Sequence, residues 1–329
     1  MNTAITNRHD ILILFDVTNG NPNGDPDAGN MPRIDPTTNK GLVSDVCLKR
    51  KIRNYVVEFC KDSNGKPLLR LDILVQQGHI LNDEIKNAID KAAESLDKKA
   101  SDKQKAEAAM KWLCNEFYDV RTFGGVLSTG QDVLKGSAYG QVRGPIQFTF
   151  GRSYDAITPL DISITRCAVT KPEDEKKERT MGNKHIVPYA LYAAKAFISP
   201  VFAERTGFTD IDLSLFFEAL QQMFTHDQSA ARAEMTLRGI YDFEHVGSQH
   251  ANNAEQNKKE ARLGCYHAHK LFEGIDVKLK PVKPGKEFPE SFADYKEGIV
   301  CTWKEETLPK GVNLHLRHEQ PTKTIKFKL

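Results

Sequence analysis

Apolar and polar residues follow each other along the chain in patterns that predict a definite order of strands and helices. Residues 11–15 form an unbroken apolar run between two aspartates, which is typical of a central strand buried on both faces. Residues 18–30 consist almost entirely of Asn, Gly, Pro and Asp, so we expect a long loop there. Ser44 is a suitable N-cap for a helix that reaches about Phe59. The apolar face of this helix contains Leu48, Ile52, Tyr55, Val56 and Phe59.

The segment from residue 61 to residue 150 differs in composition from its surroundings. Residues 82–96 and 101–120 are rich in Ala, Lys and Glu and predict two helices. Seven of the 22 glycines of the chain then fall within residues 124–151. We therefore predict that this segment is an insertion with a small fold of its own. The apolar face of its second helix contains Ala106, Met110, Leu113 and Phe117.

The second half of the chain returns to strand patterns. Residues 161–170 have strand character, and the charged turn that follows at residues 171–179 predicts an exposed hairpin ending near Pro188. Residues 189–199 and 237–244 are two further predicted strands.

A second helix is predicted between those last two strands. Thr209 and Asp212 have the spacing of a capping box, and the helix reaches about Phe224. Without the insertion, the order of elements is β-α-β-β-α-β. This order predicts an α+β fold, ferredoxin-like or RRM-like, with two helices on one face of a four-stranded sheet. Beyond residue 245 we expect an irregular tail, with a short edge strand at residues 326–329.

Composition and charge exclude several classes of protein. Hydrophobic residues make up 40% of the 329 residues and charged residues 27%, which excludes a mostly disordered chain. No apolar run approaches the roughly 18 residues of a membrane span, and the N-terminus lacks signal-peptide features, so we expect a cytoplasmic protein. The net charge of +2 excludes a protein that coats nucleic acid over its whole surface. The six cysteines form no C-x-x-C pair and are expected to be reduced thiols.

The first predicted helix has a basic face formed by Lys49, Arg50 and Arg53. At 100° per residue these three side chains span about 100° of the helix surface, away from its apolar face. Such a cluster on a nearly neutral protein suits contacts with phosphates. The alternative is an ordinary solvated helix face, and the residues alone leave both interpretations open.

The glycine-rich block between residues 123 and 148 is the second candidate site. Glycine allows a backbone to approach a ligand closely, and Gln141 and Arg143 add hydrogen-bond donors. A nucleotide-binding loop is excluded, because Gln131 occupies the position where a P-loop has its lysine, and no G-x-G-x-x-G occurs. Tight turns are the alternative explanation for this block.

Neither a metal site nor a catalytic site emerges from the sequence. Asp25, Asp27 and Asp35 resemble the start of a calcium loop, but the twelfth position is Pro36 instead of glutamate, and turn formation explains them as well. No histidine and cysteine residues have zinc-ligand spacing, and no G-x-S-x-G motif is present. We predict no cofactor, no metal and no enzymatic activity.

Five sequence segments carry a resemblance to a known family. They are NGNPNGDP at residues 19–26, MPRID at 31–35, LKRKIR at 48–53, GQVRGP at 140–145 and MGNKH at 181–185. The chain resembles the guide-RNA-binding backbone subunit of the CRISPR surveillance complex Cascade, in its subtype I-C form. The resemblance extends from about residue 8 to residue 272, and the long loop after the first strand is its most specific part.

This resemblance implies a hand-shaped protein. The RRM-like palm would comprise residues 8–60 and 151–250, with an inserted finger domain at residues 61–150 and a thumb hairpin at residues 170–188. Residues 251–329 would form an irregular C-terminal extension that packs on the palm. Copies of the subunit would stack head to tail along a guide crRNA beside other Cascade subunits. Each thumb would kink the guide, which would then pair with target DNA.

The resemblance also implies which residues contact the guide. One departure limits the comparison with ordinary RNA-recognition domains, because Pro145 follows Arg143-Gly144 where those domains have an aromatic residue, so base stacking on the sheet is not expected. The implied RNA-binding residues are Asn21, Asn23 and Arg33 in the loop, Lys49, Arg50 and Arg53 on the helix, Gln141 and Arg143 between finger and palm, and Met181, Lys184 and His185 on the thumb.

A second function is compatible with the resemblance. Related backbone proteins of other CRISPR types cut target RNA in a metal-dependent reaction that uses a loop aspartate. Asp25, Asp27, Asp35 or Asp45 would take that part here.

Overall fold

The computed structural model describes residues 3–97, 99–130, 133–168, 171, 181–232, 234–248, 253–281 and 283–319. Its helices are α1 (Asp45–Phe59), α2 (Leu81–Glu94), α3 (Asp102–Glu116), α4 (Tyr118–Phe123), α5 (Pro200–Thr206), α6 (Asp210–His226), α7 (Ala254–Leu263), α8 (Ala268–Glu273) and α9 (Ala293–Lys296). Its strands are β1 (Arg8–Gly20), β2 (Gly24–Asp25), β3 (Met31–Pro32), β4 (Lys40–Val43), β5 (Gly124–Val126), β6 (Gln141–Arg143), β7 (Ile146–Phe148), β8 (Gly151–Ala156), β9 (Leu160–Thr165), β10 (Met181–Ile198), β11 (Met235–His245), β12 (Ile275–Val277), β13 (Ile299–Cys301) and β14 (Val312–Leu316).

An antiparallel sheet with the order β14-β11-β1-β10-β8-β4 forms the centre of the protein. Strand β1 lies between β10 and β11, and Ile13 is paired with Ala194 on one side and with Ile240 on the other. The four strands β11-β1-β10-β8 together with α1 and α6 follow the order β-α-β-β-α-β. The predicted α+β, ferredoxin-like or RRM-like fold is therefore confirmed.

Helices α1 and α6 cover one face of this sheet. Odd-numbered residues of β1, such as Ile11, Ile13 and Phe15, pack against Ile52 of α1 and Phe216 of α6. The helix starts agree with the sequence predictions. Ser44 Oγ accepts a hydrogen bond from the backbone N–H of Cys47 at the start of α1, and Thr209 and Asp212 form the capping box of α6.

The opposite face of the sheet is covered by the C-terminal part of the chain. Leu12 and Leu14 of β1 pack in one cluster with Leu271 and Phe272 of α8. This part is not irregular, in contrast to the prediction, because it contains α7–α9 and β12–β14. Strand β14 extends the sheet next to β11, and Nε2 of its His315 lies 2.9 Å from Oε2 of Glu244. Residues 326–329, predicted as an edge strand, lie outside the described residues.

Two element predictions were wrong. The helix predicted over residues 101–120 is broken at Phe117, which is buried, extended and bridged to Asp72, so that a separate helix α4 begins at Tyr118. The strand next to β10 within the central four is β8. The strand predicted at residues 161–170 is β9, which is not one of the central four but pairs with residues 181–186 of β10 and so forms the predicted exposed hairpin. Strand β10 thus runs through both the hairpin and the sheet.

Helix α4 fixes the predicted insertion to the rest of the fold, and all six of its residues are buried. The guanidinium of Arg121 donates to both carboxylate oxygens of Asp212 in α6, at 2.8 and 3.2 Å, and to the backbone oxygens of Cys114, Asn115 and Arg70. Both charged side chains are almost fully shielded from solvent. This pair is stable because every charge that loses contact with water gains hydrogen-bond partners.

None of the helices in the described ranges combines the length and the apolar character that crossing a bilayer requires.

Replacement of Arg121 by Met is expected to lower the free energy of unfolding by about 3–5 kcal/mol, because it leaves the Asp212 carboxylate buried without its cation. Urea denaturation measures the change. The double variant Arg121→Met, Asp212→Asn should recover part of the loss, since the asparagine oxygen can still accept the backbone N–H of Thr209 in the capping box without a charge. As control, Arg152→Met removes a solvent-exposed pair with Asp35 and should cost no more than about 1 kcal/mol. Equal costs for Arg121→Met and Arg152→Met would contradict the argument.

The contact between β11 and β14 predicts a specific pH dependence. The hydrogen bond with His315 is the main cause that lowers the pKa of Glu244 to about 2, from an ordinary value of 4.5. A lowered folded-state pKa stabilises the protein above pH 4.5, and this stabilisation is lost as the pH falls from 4.5 towards 2. The difference in unfolding free energy between the parent and Glu244→Gln should therefore be largest above pH 4.5 and vanish near pH 2. A constant difference across this range would refute the assignment.

Candidate nucleic-acid interface

The loop that follows β1 is fastened to the N-terminus of α1. Asn23 Oδ1 accepts hydrogen bonds from both the backbone N–H and the hydroxyl of Ser44, at 2.8 and 2.9 Å. Asn21 is buried, and its side-chain amide donates to the backbone oxygen of Asn30 across the loop, at 2.7 Å. Both predicted loop residues therefore hold the loop in place. This geometry fixes the loop's distance from the basic side chains of α1.

Arg33 lies where the loop returns through the short strand pair β2–β3. Its Nη1 is 3.3 Å from Oδ2 of Asp25, and about a third of its side chain is exposed. Gly24 packs closely against Asn30 in this pair, because a Cβ atom at residue 24 would lie 1.9 Å from Oδ1 of Asn30. The loop is thus a tightly packed structure that presents one partly exposed arginine.

The basic face of α1 is divided between two environments. Lys49 is paired with Asp45 at 2.9 Å, and Arg53 Nε donates to Oδ2 of the buried Asp119 in α4, at 2.8 Å. Both cations also lie over the ring of Phe123, within 6 Å of its centroid. Arg50 remains exposed, with a single long contact of 3.5 Å to Gln77.

Asp119 explains why Arg53 is held so firmly. Besides Arg53, this carboxylate accepts hydrogen bonds from the backbone N–H groups of Leu74 and Val75, at 2.9 and 3.1 Å. Arg53 and Asp119 thus join α1 to the predicted insertion. Phosphate binding by Lys49 and Arg53 stays a prediction, whereas Arg50 is the member of the trio whose charge is open to solvent.

The exposed hairpin, formed by β9 and residues 181–186 of β10, carries the predicted thumb residues. Met181 is 67% exposed. Nζ of Lys184 donates to the backbone oxygen of Ala230, and His185 Nδ1 lies 3.4 Å from a carboxylate oxygen of Asp161. The hairpin tip predicted at residues 171–179 lies, apart from residue 171, outside the described residues.

Gln141 and Arg143 lie on β6, which pairs with β5 directly after α4. Both side chains are exposed, and the guanidinium of Arg143 lies over the ring of Phe202 in α5 at 5.5 Å. The glycines of this block bring two stretches of backbone together: a Cβ at Gly124 would lie 2.2 Å from the backbone oxygen of Val142. The close approach that the glycines allow is therefore internal to the protein.

Contacts link several of the eleven predicted residues into two groups, one next to α1 and one on β6. The loop residues and the base of the hairpin lie at the N-terminal end of this helix, because Asn23 binds Ser44 and Asn21 and Lys184 bind neighbouring backbone oxygens after α6. Gln141 and Arg143 lie on β6, where Arg143 is paired with Gly124, the residue that follows Phe123 at the end of α4.

A stretch that the sequence analysis missed joins the first group. We call residues 227–232 the connecting segment. Its Asp227 is paired with the buried Lys51 of α1, and its Ala231 accepts the backbone N–H of Asn21 at 2.6 Å. The sequence could have indicated only the Lys51 side of this contact, since a lysine on the apolar face of a helix needs a partner of opposite charge when it is buried.

The aspartates considered for metal binding act separately. Asp25, Asp35 and Asp45 are paired with Arg33, Arg152 and Lys49. Hydrogen bonds from the backbone N–H of Thr37 and the hydroxyl of Thr38 lower the pKa of Asp35, and Arg152 adds to this. Within the described ranges, no three His, Cys, Asp or Glu side chains are grouped to hold a metal ion.

The family model of CRISPR-associated protein Cas7 matches residues 7–299. A relative from Haloferax volcanii, described as CRISPR-associated protein Cas7, is 26% identical over 242 residues, which is 67% of this chain and 66% of the relative. The match thus spans slightly less than two thirds of that relative's length.

Solved structures give weaker similarities. A chain of a CRISPR RNA-guided surveillance complex described as pre-nicking aligns with a TM-score of 0.45 and 16% identity, over 72% of this chain and 75% of that chain. A second chain, from a CRISPR RNA-guided surveillance complex, gives a TM-score of 0.40 and 14% identity, over 72% of this chain and 68% of that chain. The fold assignment rests on the strand order of the central sheet.

The two environments of the basic face predict different effects of matched substitutions. Arg53→Gln should lower the free energy of unfolding by about 3 kcal/mol, because it leaves Asp119 buried without a cation. Arg50→Gln changes an exposed side chain and should stay within about 0.5 kcal/mol of the parent. Urea denaturation of both variants measures the contrast. If Arg50→Gln costs as much as Arg53→Gln, the assignment of the two environments is wrong.

Proposed function

The chain belongs to the family of CRISPR-associated protein Cas7, and from this premise we propose that it is a multi-copy structural subunit of a type I surveillance complex, of subtype I-C. Copies of the chain polymerise head to tail along a guide crRNA, next to other Cascade subunits. The subunits kink the guide at regular intervals and present it for pairing with a target DNA strand.

The observation that supports this proposal best is the position of the exposed hairpin. Its base is attached through Lys184 to the connecting segment, which also binds Asn21 of the loop and Lys51 of α1. The loop, the hairpin and the exposed Arg50 of α1 therefore lie on neighbouring elements. A strand of RNA that follows these elements meets donors for its phosphates and a projecting hairpin.

The covered face of the sheet supports the same interpretation by limiting the alternatives. RNA-recognition domains stack bases on the open face of their sheet. Here Phe272 and Leu271 of α8 pack against Leu12 and Leu14 of β1 on that face. Because this face is covered, we place the RNA at the loop, helix and hairpin side of the protein.

Met181 is the residue we assign to kinking the guide. It is 67% exposed at the start of β10, where it pairs with Thr165 of β9. An apolar side chain in this position can separate two stacked bases, and the contact offsets a few kcal/mol of lost stacking.

The small net charge fits a protein that binds as one of many copies. Each subunit contributes a few contacts, and linkage along one RNA multiplies their effect. We propose no enzymatic activity for the chain, because three of its four candidate loop aspartates are already paired with cations.

Co-expression with a repeat–spacer RNA, followed by nuclease treatment, tests the proposal. We expect a ribonucleoprotein oligomer whose mass increases by whole subunits, and protected RNA fragments of regular length. Sizing of the complex and sequencing of the surviving RNA provide the readouts. The variant Met181→Gly should keep the oligomer but change the periodicity of nuclease sensitivity, and Arg262→Ala on α7 serves as control.

A nucleic-acid-free monomer would contradict the proposed function. Cleavage of the RNA that disappears in an Asp25→Ala or Asp27→Ala variant with binding intact would instead establish the ribonuclease.

A further inference from the structure

We propose that Arg232, on the connecting segment, is a phosphate-binding residue for the single-stranded guide RNA. This inference rests on the proposed function and adds a residue outside the five segments that resemble the family.

The connecting segment contacts all three elements of the candidate interface. The backbone oxygens of Ala230 and Ala231 accept hydrogen bonds from Lys184 of the hairpin and from Asn21 of the loop. Asp227, at the C-terminal end of α6, is paired with Lys51 of α1. Arg232 directly follows Ala231, so its side chain starts where loop, hairpin and helix meet.

Around Cys47, next to the connecting segment, positively charged side chains outnumber negatively charged ones. Cys47, on the first turn of α1, is close enough to Lys51, Arg232, Asp227 and Arg50 that all four influence the pKa of its thiol, which burial raises. Three of these groups are cations and one is a carboxylate. The surplus of positive charge lies next to the loop, since Cys47 Sγ is 3.6 Å from the backbone oxygen of Pro22. A local cationic surplus attracts the phosphates of a nucleic-acid strand.

Asp227 is engaged chiefly by residues other than Arg232. Burial raises its pKa, but the hydrogen bond and charge of Lys51, with smaller effects of Arg232 and Asn54, lower it overall. The carboxylate is therefore ionised at neutral pH. Asn54 Nδ2 also donates to this carboxylate, at 3.4 Å. Arg232 Nε lies 3.7 Å away, which is an ion-pair distance but too long for a hydrogen bond.

The guanidinium of Arg232 can thus accept a ligand. Its side chain is 40% exposed, whereas Nε itself is buried beside Asp227, so a phosphate would bind the two outer nitrogens of the guanidinium. Asp227 lies 3.7 Å from Nε and orients the group through charge. A guanidinium binds a phosphate through two parallel hydrogen bonds, which matches the chemistry of an RNA backbone.

The experiment measures binding of a single-stranded repeat–spacer RNA by the purified full chain in a series of salt concentrations. Arg232→Ala is expected to weaken binding on the order of tenfold, since hydrogen bonds to charged groups contribute about 1.5–3 kcal/mol. The slope of log K against log salt should become shallower by about 0.7 per subunit, the value for one phosphate contact with a single strand. Arg232→Lys should retain more affinity than Arg232→Ala.

Arg262→Ala is the matched control, because Arg262 is also paired with one carboxylate, Glu204, at 2.8 Å, but lies on α7. It should change neither affinity nor slope.

If Arg232→Ala does not fold, Arg232→Gln and Arg232→Lys are compared, and the lysine variant must bind more tightly. Parent-like affinity of Arg232→Ala, or weaker binding with an unchanged slope, would overturn the inference alone. Failure of the parent chain to bind RNA would overturn the proposed function as well.

Discussion

Two buried ion pairs on one short helix determine how the main parts of the protein are joined. In α4, Asp119 is paired with Arg53 of α1, and Arg121, two residues further, is paired with Asp212 of α6. Charges withdrawn from water are tolerated only when their partners remain in place, so α4 has a single position between the two helices of the sheet. Because the chain is continuous, the position of α4 also fixes where the segment before it and the β5–β6 strands after it lie.

The basic side chains of α1 consequently fall into two classes, those that hold α4 in place and those that face solvent. Lys49 and Arg53 contact Phe123 at the end of α4 and hold the insertion against the helix. Arg50 lies on the same helix but faces solvent. A similar division occurs beside the helix, where Lys51 is buried against Asp227 and the side chain of Arg232, on the connecting segment, is 40% exposed. Structural cations therefore position the cations that are open to a ligand.

The sequence was most informative where local patterns decide the structure. The apolar run at residues 11–15, the cap at Ser44 and the capping box at Thr209 depend on near neighbours, and all three are present. The break at Phe117 was missed because it depends on Asp72, which is distant in the sequence. The buried contact of Arg53 was missed for the same reason, since its partner Asp119 is 66 positions away in the sequence. Contacts between distant residues leave no periodic signal.

The place of β1 in the sheet has a consequence for how the chain folds during synthesis. Strand β1 leaves the ribosome before its two neighbours in the sheet, β10 and β11, which follow only from residues 181 and 235. Until then its apolar residues have no sheet partner. The contacts between α2 and α3 join residues that are close in the sequence, so they can form much earlier. The sheet joins strands that are far apart in the sequence, and this makes its assembly slow. An unpaired apolar strand is prone to aggregate, so β1 is exposed to this risk until β10 and β11 have been synthesised.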